Sequence, residues 1–527
     1  MKGYRAVVGL WLLLCLVIGP ASASSWQDEP EARLQLHQQG LELALADVHP
    51  KLTLWWQQAV SADTASDEAD DRLLLGMQAF WRHWAALSFV DRQHLRTAGA
   101  SLAFREQDQL ELQLAAEQRQ RHVLVQGLAP GYPDHPQLQQ QLARLLALNA
   151  GPWPVLRTAT LRPGDRVAVV PHIRERLRLL GDMSAETEAP LSVAFDELEK
   201  PDGTYSSSSV DDAEVFDDGA LHQTGQTASV GVGPSHDPDL FDEAMEQGVR
   251  NFQQRHGLKV DGVIGPQTFG WLDVAPLQRA QLLMRSMLRT LIGDNLPSSY
   301  LLVNIPEYRL RLYQEQVMVL ESDVIVGRDE RKTPIMHSKI TNVVLNPPWN
   351  VPRSIIKKDI VPKLYRDPGY IARQGFEVLD GAGVVPAAEW QARLYNGGGF
   401  PYRLRQKPGA LNALGAYKFH LPNNDAIYLH DTPSRRLFSR DSRALSSGCV
   451  RVEGAEQLAH WLLSEQWSPE RLAALKARRV TRWLRVAQPL PVFMVYWPGW
   501  LGADGLPRYR SDIYEFDKTL HNPFTAG

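Results

Sequence analysis

Apolar residues recur every three or four positions from Glu31 to about Ala150, for example at Leu73, Leu74, Leu75, Met77, Phe80, Trp81 and Trp84, and again at Leu142, Leu145, Leu146 and Leu148. That spacing lines one face of a helix and predicts a helical scaffold, interrupted by Pro/Gly clusters at 130–136 and 151–154. A further helix is predicted over 170–181. The pattern then fails: residues 183–238 hold about a dozen Asp and Glu, one lysine and few large apolar groups. Such a segment buries too little apolar surface to offset its ordering entropy and reads as a disordered acidic insertion. Helical periodicity returns through Val249 and Phe252. It continues in an amphipathic connector over 276–291.

From Tyr300 the period shortens to two. Strands are predicted over 300–305, 308–313, 317–327, 340–345, 426–429 and 492–496. Between 353 and 403 the alternation breaks around Lys357-Lys358, Asp367-Pro368-Gly369-Tyr370 and Gly397-Gly398-Gly399-Phe400. A long irregular insertion in a compact domain reads as a lid or binding loop.

Composition changes this picture in three ways. At 527 residues the chain exceeds what one hydrophobic core usually serves, so several domains are expected. Lys2 and Arg5, an apolar run over 6–18 and Ala21-Ser22-Ala23 read as a secretory leader over 1–23, too short to span a bilayer comfortably. With 56 Lys and Arg against 60 Asp and Glu and no long basic tract, nucleic acid is excluded as an expected partner. There are only two cysteines, and Cys15 would leave with the leader. Cys449 would then be a single thiol in an oxidising compartment, which calls for burial or chemical work.

Its neighbours point to work. Ile427-Tyr428-Leu429-His430-Asp431-Thr432 closes a predicted strand, and eighteen residues separate His430 from Cys449 in Ser446-Ser447-Gly448-Cys449-Val450-Arg451. The thiolate is the attacking form, so a nucleophilic cysteine needs a base or a positive field. His430 is the candidate base. Gly448 permits an unusual turn that would aim amide N–H groups at a developing oxyanion. Arg451 would either lower the thiol pKa or hold a substrate carboxylate. One Cys and scattered His form no metal-ligand set, so neither metal nor cofactor is expected. A helix is predicted from Gly454, with Ala455, Leu458, Trp461 and Leu462 on one face.

Taken together, His430 followed by Ser446-Ser447-Gly448-Cys449 resembles the signature of the YkuD-type L,D-transpeptidase catalytic domain, with Ser447 where that family carries histidine. Asn346-Pro347-Pro348-Trp349-Asn350-Val351-Pro352 and Gln406-Lys407-Pro408-Gly409 are similar to the segments flanking the family's capping insertion. Val249-x-x-Phe252-Gln253-x-x-His256-Gly257-Leu258-x-x-Asp261-Gly262-x-Ile264-Gly265-x-x-Thr268 resembles a three-helix peptidoglycan-binding module.

The resemblance implies a multidomain α+β protein. Its parts are a leader (1–23), a helical scaffold (24–160), a peptidoglycan-binding module (161–275) interrupted at 183–238, and a connector (276–298). A β-rich, sandwich-like catalytic domain (299–496) with its cap (353–403) and a C-terminal extension (497–527) complete it. It implies Cys449 as nucleophile and His430 as base, with Gly448, Asp431 and Tyr428 as oxyanion or orienting groups. Asp431 would act through either its carbonyl or its carboxylate. Arg451, Ser447 and Trp349 would contact substrate. The implied partners are peptidoglycan stem peptides and glycan strands, with other cell-wall synthesis enzymes besides, and the implied location is the periplasm, with no membrane span after leader cleavage.

The implied reaction is attack on the third-residue carbonyl of a tetrapeptide stem, release of D-alanine and transfer to an amine, forming a 3→3 crosslink. Rivals sharing the acyl-enzyme are a carboxypeptidase or endopeptidase and a lipoprotein-anchoring enzyme. A rival of another class is a catalytically silent peptidoglycan-binding scaffold. A papain-type protease would place its cysteine before its histidine, the reverse of the order here.

Overall fold

The computed structural model describes residues 24–61, 64–132, 134–156, 159–184, 237–292, 296–518 and 520–524. The leader and nearly all of the acidic segment lie outside the described residues. The chain divides into two compact units, the smaller made of residues 155–253 and 260–272.

In the smaller unit, Val170–Leu180 and Pro266–Leu272 are helical, as is most of Glu243–Arg255. Segments before and after the acidic stretch pair directly, through bridges Leu161–Ile264 and Arg166–Leu240. Ile173, Leu177, Met245, Val249, Phe252, Ile264 and Leu272 are fully buried there. The Gln253 side-chain oxygen accepts from the Asp261 and Gly262 amides at 3.1 and 2.9 Å, which pins the predicted Asp-Gly turn. Gly262 has φ +73°. At that dihedral a Cβ is costly.

The larger unit opens with helices Pro30–Leu45, Pro50–Val60, Asp67–Ala86, Phe89–Gln93, Glu106–Gln118, Arg121–Gly127 and His135–Leu148. Its β-rich part contains β1 (Tyr300–Asn304), β2 (Arg309–Gln314), β3 (Val317–Gly327), β4 (Met336–Leu345), β5 (Trp349–Asn350), β6 (Phe376–Leu379), β7 (Arg403–Gln406), β8 (Tyr417–His420), β9 (Leu429–His430), β10 (Ala444–Ser446), β11 (Val450–Val452) and β12 (Arg482–Val495). Pairing runs β10-β3-β11-β9-β8-β4-β12-β1-β2, and β2 also pairs with β3. The circuit therefore closes, leaving fewer open edges than a two-sheet sandwich. Alternate residues such as Val303, Leu310, Val324, Val343, Phe419, Leu429, Val450 and Met494 fill the core together with Leu458 of helix Ala455–Leu463. Trp461, expected on that buried face, is only partly buried and Ala459 takes its place.

Several strands differ from expectation. The strand predicted over 426–429 is the two-residue β9, and β8, β10 and β11 were not predicted. β12 starts at Arg482 rather than near 492. Pro489 falls within a register shift between Arg485 and Leu490, and Pro491 lies beyond it, opposite Lys339 in the ladder. The cap is not the irregular loop its composition predicts. Its strand β6 joins the flanking strands in a sheet β5-β7-β6, and Ile356, Leu364, Val378 and Trp390 form a core with Leu404 of β7.

Helix Pro276–Thr290 is more than an amphipathic connector. Arg285 and Arg289 project from it onto Asp517, with Arg285 Nε, Arg289 Nη1 and Arg289 Nη2 lying 2.6, 2.6 and 2.7 Å from the carboxylate. Arg289 Nε also donates to the Gln93 carbonyl at 2.8 Å, and Arg285 Nη1 to the Ala46 carbonyl at 2.8 Å. The C-terminal segment is thereby tied to the helical scaffold.

Candidate active site

Leu429 pairs with Val450 and His430 with Arg451 in the parallel β9–β11 ladder, and Lys418 pairs with His430 in the antiparallel β8–β9 ladder. Because side chains alternate along a strand, the buried Leu429 and Val450 enter the core and their neighbours take the other face. Tyr428, His430, Cys449, Arg451 and Lys418 thus share one face of three adjacent strands. The Tyr428 and His430 rings lie 5.6 Å apart, and Lys418 Nζ sits 4.0 Å over the Tyr428 ring. Cys449 and Trp349 both lie close enough to Tyr428 to act on the titration of its hydroxyl, and Cys449 Sγ lies 3.9 Å from the Ala426 carbonyl oxygen. Of the expected site residues, Cys449, His430, Tyr428, Arg451 and Trp349 are brought together. Lys418 was missed, although its alternation with the buried Tyr417 and Phe419 carried the signal.

His430 Nδ1 lies 2.5 Å from the Asp431 carbonyl oxygen. A carbonyl only accepts, so Nδ1 carries the proton and Nε2 is left with a lone pair when the ring is neutral. Burial, then the neighbouring Arg451 charge, push the imidazole down to about 3, with the Asp431 bond opposing them. The ring is therefore a neutral base across the physiological range.

Asp431 orients it through the backbone. Its carboxylate is engaged elsewhere, accepting from the Ala416 and Thr432 amides at 2.8 and 2.7 Å and from Arg435 Nη2 at 2.6 Å. A Cβ on Gly415, at φ +60°, would fall 2.3 Å from that carboxylate, so only glycine fits.

The turn that carries Cys449 is held from two sides. Gly448 has φ +114°. Its amide donates to Ser446 Oγ at 3.1 Å, and Ser446 Oγ donates to the Cys449 carbonyl at 2.6 Å. The Gly448 N–H, expected as an oxyanion donor, thus serves the turn. On the other side Thr333 Oγ1 donates to the Gly448 carbonyl at 2.8 Å, and the Thr333 amide donates to the Tyr514 hydroxyl at 2.9 Å. That hydroxyl in turn donates to the Gly327 carbonyl at 2.6 Å. No sequence pattern marked Tyr514, because its partners lie more than 150 residues away in the chain. Ser447 is exposed and accepts from Arg331 Nη1 at 2.9 Å, on the rim rather than beside the thiol.

Burial pushes the Cys449 thiol up, against the opposing effects of the Tyr428 hydrogen bonds and the Lys418 and Arg451 charges. A raised thiol beside a lowered imidazole rests as a neutral pair. Alkylation of the full-length chain by iodoacetamide is accordingly expected to accelerate through pH values above the ordinary thiol pKa of about 8.5. A plateau extending below pH 7 would instead reveal a resting thiolate–imidazolium pair.

Among the described residues, no group of three or more His, Cys, Asp or Glu is arranged to hold a metal, and no helix is long and apolar enough to cross a membrane.

Residues 298–481 match the sequence model of YkuD, the L,D-transpeptidase catalytic domain, and residues 221–272 match that of a "putative peptidoglycan binding domain". The chain carries a YkuD-type L,D-transpeptidase catalytic domain together with a peptidoglycan-binding domain. A "putative L,D-transpeptidase" of Haemophilus influenzae is 46% identical over 223 residues, which cover 42% of this chain and 45% of that relative. The match thus spans less than half of the relative's length.

Among solved structures, an Ldtfm–avibactam carbamoyl enzyme aligns at 10% identity and TM-score 0.19, covering 38% of this chain and 49% of that one. An L,D-transpeptidase (residues 123–326) from Xylanimonas cellulosilytica aligns at 12% and 0.18, covering 64% and 98%. At these scores neither adds to the assignment.

Proposed function

We propose that the chain is a cysteine-dependent peptidoglycan L,D-transpeptidase, exported to the periplasm, whose peptidoglycan-binding module brings it to its polymeric substrate. The observation that carries this reading is a neutral His430, fixed by its own Nδ1–H and sharing one strand face with the lone thiol of Cys449. Cys449 Sγ attacks the carbonyl of the L-centre of the third stem residue, meso-diaminopimelate, as His430 Nε2 takes the thiol proton. The C–N bond to the terminal D-alanine breaks, and the imidazolium returns the proton to the leaving amine. An acceptor amine then attacks the thioester with His430 again as base, the C–S bond breaks, and a 3→3 crosslink results.

The Tyr428 hydroxyl and the Cys449 amide are the oxyanion donors in this scheme. The Lys418 and Arg451 charges stabilise the negative charge passing from sulfur to oxygen. Desolvation strengthens each of these interactions.

Mass spectrometry of products from disaccharide-tetrapeptides checks the acceptor. Crosslinked dimers with released D-alanine are the expected outcome. Tripeptides without dimers would instead assign hydrolysis, and neither product would leave a peptidoglycan-binding scaffold.

A further inference from the structure

Beside the nucleophile turn, a cleft of about 500 Å³ opens between the cap and the loop carrying Ser447. Five basic side chains line it, Arg328, Lys358, Lys363, Arg366 and Arg451, against the single acid Asp359. That acid is already committed, bonded by Arg328 at 3.3 Å and by Arg331. Lys358, Arg366 and Arg451 have no hydrogen-bond or ion-pair partner among the described residues. A chain of net charge −4 thus gathers unpaired cations at one place, on both walls of a concavity that includes residues from the turn bearing Cys449. Like charges crowded in a cleft repel one another and focus a positive potential, which an anionic ligand relieves.

We propose that this cleft is a carboxylate-reading subsite for an acidic peptide, in which Lys358 and Arg366 of the cap and Arg451 of β11 supply the charge. The assignment rests on the transpeptidase reading and deepens it: the peptide is the stem, and the groups read are its free carboxylates, distinct from the acyl carbon that Cys449 attacks. Carboxylate geometry suits the forked guanidinium groups of Arg366 and Arg451, while Lys358 acts as a point charge. Lys358 and Arg366 are exposed side chains of the cap. Neither belongs to the catalytic group.

The test is calorimetric binding of a tetrapeptide stem to the full-length chain carrying Cys449→Ala, with the free acid compared with the same peptide in which the carboxylates are carboxamides. The free acid is expected to bind at least tenfold more tightly, and the preference to shrink as salt rises. Adding Lys358→Gln and Arg366→Gln together removes the preference, and Lys358→Arg retains it. Equal binding of acid and amide, or a preference that survives the double change, would overturn the proposal. So would displacement of the peptide by an equal concentration of inorganic phosphate, which would mark an undiscriminating anion hole. Binding requires no turnover, so a wild-type chain that makes no product yet keeps the acid preference would count against the catalytic reading alone.

Discussion

Replacing Cys449 by alanine is expected to reduce both dimer formation and D-alanine release to the background of a reaction without protein. The reason is compositional as well as geometric. Once Cys15 is set aside, Cys449 is the only thiol, and the side chains sharing its face, Tyr428, His430, Lys418 and Arg451, provide hydrogen bonds, a base and charge but no second thiol. His430→Gln is expected to be less severe, lowering acylation by about 10²–10⁴-fold, because the thiol remains and a general base contributes on that order. Raising the pH should recover part of the His430→Gln loss by forming thiolate directly, and none of the Cys449→Ala loss. That difference separates the two roles in a single pH series of D-alanine release.

Asp517→Asn is expected to lower stability by about 3–5 kcal/mol, the usual result of breaking a buried ion pair by removing one partner. The side chains of Asp517 and Arg289 are fully buried, and Arg285 is one-tenth exposed. Asparagine has the same shape but leaves two guanidinium groups facing a neutral amide. The two arginines hold the Asp517 carboxyl down at about 2, below its ordinary 3.8, despite burial. Because the folded-state value is depressed, this stabilisation is present above about pH 4 and lost as pH falls toward 2. The gap between wild type and Asp517→Asn should therefore be full near neutrality and narrow across that acid window. Denaturant unfolding followed by hydrogen exchange in residues 276–290 measures both.

What could be read from the sequence divides along physical lines. Regular alternation in 300–327 and 340–345 predicted most of β1 to β4, because one face of each is apolar and the other polar. β11 was hidden because it is only three residues long, below the reach of any periodicity argument, and β9 was predicted too early in the chain, over 426–429 instead of Leu429–His430. They also carry or adjoin the candidate site residues His430, Cys449 and Arg451. Cys449 and His430 were singled out by residue type and order, and Tyr428, Arg451 and Trp349 by proximity in the chain or family likeness. Lys418 required the β8–β9 pairing, which only the fold supplies.

Asp431 was assigned to His430 with its acting group left open. The hydrogen bonds decide for the carbonyl, since the carboxylate is bound to Ala416, Thr432 and Arg435. Gly448 was assigned correctly as a turn with unusual backbone, but its amide faces Ser446 Oγ. The Tyr514–Thr333–Gly448 chain and the Asp517 ion pairs join residues far apart in sequence. No local pattern encodes them.

Catalysis through Cys449 requires a covalent acyl group at one sulfur. After brief incubation of the wild-type chain with a stem tetrapeptide, acid quench, proteolysis and mass spectrometry should find the tripeptide acyl group on the peptide containing Cys449, at the mass of the tetrapeptide less D-alanine. Release of D-alanine with no acyl group on Cys449, or with the adduct on another residue, would contradict it.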